Sequence, residues 1–183
     1  RQSIAKAYYG NSGMELNPQS GRLRGIMDAR DEIIPHFLDS FDELASDFIY
    51  AVNRQHSQGF GLDSFQEIIG TAKFSNLDAD LDAVNNGLSY SIENGSFDLT
   101  LVDADGDKEV RTINVLDGKI NTVGDLMNEI NNISHMNATL TSDLELKISS
   151  SEGYEFFVSN DSSGLLAAVG INTFFSGNSA GDM

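Results

Sequence analysis

The sequence predicts an α+β protein: a long amphipathic helix in a helical domain, followed by a β-rich domain with one or two short helices. Three observations carry this reading. Apolar residues recur every three or four positions between Ser20 and Gly59. Beyond Gly87 the apolar period shortens to two. Turn residues then punctuate the short alternating segments, at Asn94-Gly95, Asp117-Gly118 and Glu152-Gly153. A period near 3.6 gathers apolar side chains on one face of a helix, and a period of two gathers them on one face of a strand. The change of period therefore marks a change of architecture.

Leu23, Met27, Ile34, Phe37, Phe41, Leu44, Phe48 and Val52 form one stripe, with Arg30 filling the turn left open. Such a stripe packs along neighbouring helices and is the candidate packing and assembly face. Ile26, Ile33, Leu38, Ala45 and Ile49 widen it into a bundle face. Phe41 and Phe48 are expected to be buried there, with Asp42 and Asp47 in solvent. Pro35 interrupts the pattern, because an interior proline removes a hydrogen bond and clashes with the preceding turn. A kink or break is expected near Ile34, with Pro35 opening a second, longer helix. Gly59 is a natural helix stop.

The other elements follow in chain order. Ile4 to Tyr9 reads as a short strand or a helical turn, and Gly10 to Gly13 and Asn17-Pro18 as turns. Residues 60–76 read as irregular, with Phe65, Ile68, Ile69 and Phe74 buried. Ser75 is placed to cap a short helix carrying Leu77, Leu81 and Val84 and ending at Gly87. Leu88, Tyr90 and Ile92 then alternate as a strand, and Asn94-Gly95 is a strong hairpin signal towards Phe97, Leu99 and Leu101. A polar turn, Asp103 to Lys108, leads to a strand with Ile113 and Val115, where Val110 is out of phase and calls for a bulge. Thr122 to Asp125 has the form of a capping box, and Val123, Leu126, Ile130 and Ile133 line the helix behind it. Leu140 opens the next strand. Leu144, Leu146 and Ile148 alternate, as do Tyr154, Phe156 and Val158. Asp161 or Ser162 caps a short helix with Leu165, Leu166 and Val169, stopped by Gly170; Ile171, Phe174 and Phe175 pack back. The domains expected are a helical one over 1–87 with its core helix at 20–58, and a β-rich insert of β-β-β-α-β-β-β type over 88–175. Residues 176–183 form a linker back towards the helical part or the next domain.

Composition narrows the function. Eleven basic residues against 28 acidic ones give a net charge of -17, which repels phosphate backbones and anionic lipid. Nucleic acid and membrane are therefore not expected partners. With no cysteine there is no disulfide, thiolate metal site or cysteine nucleophile. No apolar run is long enough to span a bilayer, and no signal-peptide pattern is visible. Starting at Arg1 and stopping at Met183 inside a polar run, the chain reads as a fragment of a longer protein.

Residue patterns that carry chemistry are few. Gly177-Asn178-Ser179-Ala180-Gly181 fits the G-x-S-x-G pattern, which needs a strand before the serine and a helix behind it. A flexible linker explains the same residues. Asp103, Asp105 and Asp107 with Gly106 resemble a calcium loop and are weak metal candidates. Gly106 precedes Asp107 instead of following the third acidic ligand, and position twelve is Asn114 where a bidentate glutamate is required. A solvated Asp-Gly turn is the simpler reading. His36, His56 and His135 each lack the second ligand at helical spacing that a metal pair needs. No enzyme activity, catalytic residue or cofactor is expected.

Two stretches carry a resemblance. The first is Ser20-Gly-Arg-Leu-Arg-Gly-Ile-Met-Asp-Ala-Arg-Asp-Glu-Ile-Ile-Pro35 with Leu44-Ala45 and Asn53-Arg-Gln-His-Ser-Gln-Gly59. The second is Asn94 to Phe97, Thr122 to Ile130, and Ser162-Ser-Gly-Leu-Leu-Ala-Ala-Val-Gly-Ile-Asn-Thr-Phe-Phe-Ser-Gly177. Together they resemble the helical core and β-rich insert of the bacterial flagellar hook-associated protein at the hook–filament junction. The family's helix starts small-small-x-L-x-G-L-L-x-x-R-D and ends N-x-x-H-x-x-G, and its insert closes L-L-A-A-L-G-I-N-T-F-F-x-G. The family's terminal segments, which line the core of the axial structure, have no counterpart here. The resemblance implies a non-enzymatic structural subunit, self-assembling as a ring between hook and filament. Its implied partners are like subunits, the hook protein, a second hook-associated protein and an export chaperone. Its implied location is the extracellular flagellum, reached through the flagellar secretion apparatus without a cleaved signal peptide. The rival reading from another class is a secreted acidic binding module, adhesin-like, using the Asp103–Asp107 loop for calcium.

Overall fold

The computed structural model describes residues 6, 8–61 and 63–177. The chain divides into two compact units, Arg1–Ala45 and Ser46–Met183.

The first unit opens with a tight turn. Tyr8 bridges Glu15, the Tyr9 N–H donates to the Met14 carbonyl at 2.9 Å, and Lys6 pairs with Glu15 at 2.9 Å. Gly10 and Gly13 supply the two positive φ angles of the turn. The part of the Ile4–Tyr9 expectation that falls on Ile4, Ala5 and Ala7 lies outside the described residues. Helix α1, Gly21–Asp28, follows an extended Ser20 and is braced by the Arg24–Asp28 pair at 2.8 Å. A π-helical turn, Ala29–Ile33, joins it to α2, Ile34–Ser57.

The interruption expected near Pro35 takes this form. Pro35 offers no N–H, and its ring collides with the carbonyl four residues back in a regular α-helix. A widened turn just before it accommodates the missing bond. The backbone stays helical on both sides, with φ/ψ of -60/-44 at Ala29 and -66/-47 at Ile34.

The second unit is built on two three-stranded antiparallel sheets. The strands are β1 Glu67–Lys73, β2 Gly95–Val102, β3 Lys108–Val115, β4 Met136–Leu140, β5 Glu145–Ser150 and β6 Glu155–Ser159. One sheet runs β1-β5-β4 and the other β3-β2-β6. Helix α3, Val123–Asn131, follows β3, and α4, Leu165–Val169, follows β6. The protein is α+β, as the two periods require. Phe97, Leu99 and Leu101 of β2, Ile113 and Val115 of β3, Leu146 and Ile148 of β5, and Phe156 and Val158 of β6 share one core with both helices.

The capping box of α3 is present as read. The Thr122 hydroxyl accepts from the Asp125 N–H at 3.1 Å, and the Asp125 carboxylate accepts from the N–H groups of Thr122 and Asn121 at 3.0 and 3.2 Å. Hydrogen bonding from the Thr122 side chain and from the N–H groups of Thr122 and Asn121 holds the Asp125 carboxyl below its ordinary value. At the Asp117-Gly118 turn, the N–H groups of Lys119 and Ile120 do the same for Asp117. Val123, Leu126 and Ile130 point into the core.

Several local expectations give way. The stretch read as irregular contains β1; its adjacent Ile68 and Ile69 and central Gly70 break the alternation. Gly70 is needed there, since a Cβ would meet the Val169 carbonyl oxygen at 2.4 Å. The helix expected to carry Leu77, Leu81 and Val84 is a series of turns, in which Leu81 is buried and Val84 wholly exposed. Leu88 to Ile92 forms no strand, and Asn94-Gly95 is not a hairpin tip but the entry to β2. Gly95 lies against Ser162 and Ser163, where a Cβ would meet the Ser163 backbone nitrogen at 2.8 Å and the Ser162 carbonyl carbon at 2.9 Å. β2 and β3 pair continuously from Gly95↔Val115 to Val102↔Lys108, so Val110 needs no bulge and sits exposed on the outer face. Leu140 closes β4, and Thr141 organises the turn into β5 by accepting from the N–H groups of Asp143 and Glu145.

A candidate assembly surface on the long helix

Two sides of α2 differ in fate. Ala45, Ile49, Asn53 and Ser57, four residues apart, are buried. Four-residue spacing advances the helix by slightly more than one turn, so these side chains line up along one side. The stripe read from the sequence lies elsewhere. In the first unit Leu23, Ile34, Phe37, Phe41 and Leu44 are exposed and Met27 is half-buried. In the second unit Phe48 is exposed and Val52 half-buried. The expected burial of Phe41 and Phe48 is thus not met within the chain: they are 53% and 51% exposed. Asp42 and Asp47 are exposed, as expected. The periodicity identified the apolar stripe; what it did not reveal is that, among the described residues, most of its side chains stay exposed.

That exposure is the main physical fact about this region. Ile26, Ile33 and Leu38 add to it, and the Phe37 and Phe41 rings lie 5.9 Å apart, one helical turn from each other. An apolar face of this extent in water marks an interaction surface. In the second unit, Phe48, Ala51, Val52, His56, Phe60 and Phe174 line a groove of about 660 Å³ beside the end of α2.

The residues that close α2 explain the motif Asn53, His56, Gly59. Asn53 grips the chain after α4. Its Oδ1 accepts from the N–H groups of Phe174 and Phe175, both at 2.9 Å, and its Nδ2 donates to the Phe175 carbonyl at 3.0 Å. The His56 ring lies 6.0 Å from that of Phe174, and the Gly59 N–H donates to the His56 carbonyl at 2.8 Å. Phe175 packs on Phe48 as expected of a segment folding back, whereas Phe174 remains mostly exposed.

A second set of contacts fastens the Leu88–Asn94 segment to the same half of α2. Tyr50 stacks on Tyr90 with centroids 3.9 Å apart, and the Tyr90 hydroxyl donates to the Ser46 carbonyl at 2.7 Å. Arg54 pairs with Glu93 at 2.6 Å. Burial raises the Tyr50 phenol above its usual value, and the bond to Glu93 raises Arg54. Sequence reasoning missed Asn53, Tyr50 and Arg54 as contact residues. They sit on the helix's less apolar sides, and no local pattern names a partner some forty or more residues away.

Asp161 is the most heavily used buried side chain. One carboxylate oxygen accepts from the Ser163 N–H and hydroxyl and the Gly164 N–H, at 3.0, 2.8 and 2.9 Å. The other accepts from the Leu166 N–H at 2.8 Å and the Ser57 hydroxyl at 3.3 Å. The N-cap position of α4 is Gly164, not Asp161 or Ser162, but Asp161 satisfies N–H groups at the start of α4 and also ties it to the last residue of α2. Gly164 and Gly170 bracket α4 at φ of 76° and 75°, left-handed positions that suit glycine.

The weak metal candidates serve a turn. Asp103 accepts from the N–H groups of Asp105 and Asp107 at 3.0 and 2.9 Å, closing the β2–β3 hairpin around Gly106. Among the described residues no three His, Asp or Glu side chains come together as a metal ion would need. His36 is exposed, and His135 stacks on Tyr154 at 3.9 Å. Ser179 of the G-x-S-x-G pattern lies outside the described residues. Among the described residues no helix is long and apolar enough to cross a membrane.

Residues 5–74 match the family model described as the flagellar hook-associated protein FlgK helical domain. The matched span holds α1, the π-helical turn, α2 and β1. It supports a flagellar hook-associated protein family for this chain. No curated protein sequence matches the chain.

Proposed function

We propose that the chain is part of a non-enzymatic structural subunit of the bacterial flagellum, set at the junction between hook and filament. One observation carries the proposal: the region similar to the FlgK helical domain presents a stripe of apolar helix side chains that stay largely exposed among the described residues. The face, Leu23, Met27, Ile34, Phe37, Phe41, Leu44, Phe48 and Val52, is the assembly surface. Burying apolar area between subunits is the main source of association energy for such a face. Its partners are like subunits in a ring, the hook protein below and a second hook-associated protein above. The subunit is exported without a cleaved signal peptide by the flagellar secretion apparatus, with an export chaperone covering the face beforehand. The functional division is a helical part and a β-rich insert, and β1 belongs with the insert because it pairs with β5.

The rival calcium-binding module has less support, because among the described residues no three His, Asp or Glu side chains come together as a metal ion would need, and Asp103 Oδ1 serves the turn. Immunogold labelling of flagella from the source cells tests the proposal. Label at the hook–filament junction supports it, and flagella free of label overturn it. Phe37→Ser/Phe41→Ser should abolish the label while leaving the melting curve of the purified chain almost unchanged.

A further inference from the structure

No further inference is drawn: the strongest candidate, the apolar groove lined by Phe48, Val52, Phe60 and Phe174 beside the C-terminal end of α2, carries nothing because nothing in the structure shows what covers it.

Discussion

Replacing Asp161 tests the packing of the second unit most directly. Its carboxylate is fully buried and accepts from five donors, of which three are backbone N–H groups. In Asp161→Asn one oxygen survives and can keep the Ser163 and Gly164 donors. The other becomes an NH₂ facing the Leu166 N–H, so donor meets donor. A buried donor left without a partner costs about 1–3 kcal/mol. Asp161→Asn should therefore lose about 2 kcal/mol. Asp161→Ala strands all three N–H groups and should lose about 3–5 kcal/mol, a large part of the ~5–15 kcal/mol typical of a domain. Urea titration followed by circular dichroism measures both. Ser57→Ala combined with Asp161→Asn should cost less than the sum of the single changes, because the Ser57 hydroxyl donates to the same carboxylate. An Asp161→Asn variant within about 0.5 kcal/mol of the parent would refute the argument, since surface-like behaviour is incompatible with five buried donors.

Four other outcomes follow from the geometry. Phe41→Ala should cost no more than about 1 kcal/mol in the isolated chain, against about 3–5 for a buried phenylalanine, because half its surface is already wet; a thermal melt shifted as for a core residue would contradict the exposed face. Gly70→Ala should cost about 2 kcal/mol or more by denaturant melt, because its Cβ would press on the Val169 carbonyl, which is backbone and cannot swing aside. Asp105→Asn should leave the melting temperature equal with and without calcium, and a calcium-induced rise that vanishes in this variant would revive the metal reading. The last concerns pH: folded Asp125 and Asp117 are depressed by their hydrogen bonds, so their stabilisation is present above the unfolded carboxylate range and is lost as pH falls through the folded values. Melts from neutral to acid pH should show less acid loss in Asp125→Asn than in the parent.

What could be read from the sequence was local. The 3.6 and 2 periods identify α1, α2, α3 and four of the six strands, β2, β3, β5 and β6, in type, though the edges shift by a few residues. The Thr122 box, the Asp103 turn and the Asp161 bonds at the start of α4 were legible because each closes within about five residues, where side chain and backbone meet whatever surrounds them. The apolar face of α2 was equally legible, since periodicity alone decides which side chains share a side.

Tertiary structure decided the rest. β1 forms because β5 lies beside it, pairing Glu67 with Ser149 across a gap no local pattern spans. Leu88 to Ile92 alternates like a strand, yet Tyr90 is spent on α2, where it meets Ser46 and Tyr50, and Ile92 on the core, so the segment joins no ladder. Which side of α2 is buried was also beyond the sequence. The chain buries Ile49 and Asn53 and leaves Phe41 and Phe48 wet, although aromatic residues bury more apolar area. Hydrophobicity specifies that a face should leave water, but only the position of neighbouring elements determines whether the same chain or another molecule covers it.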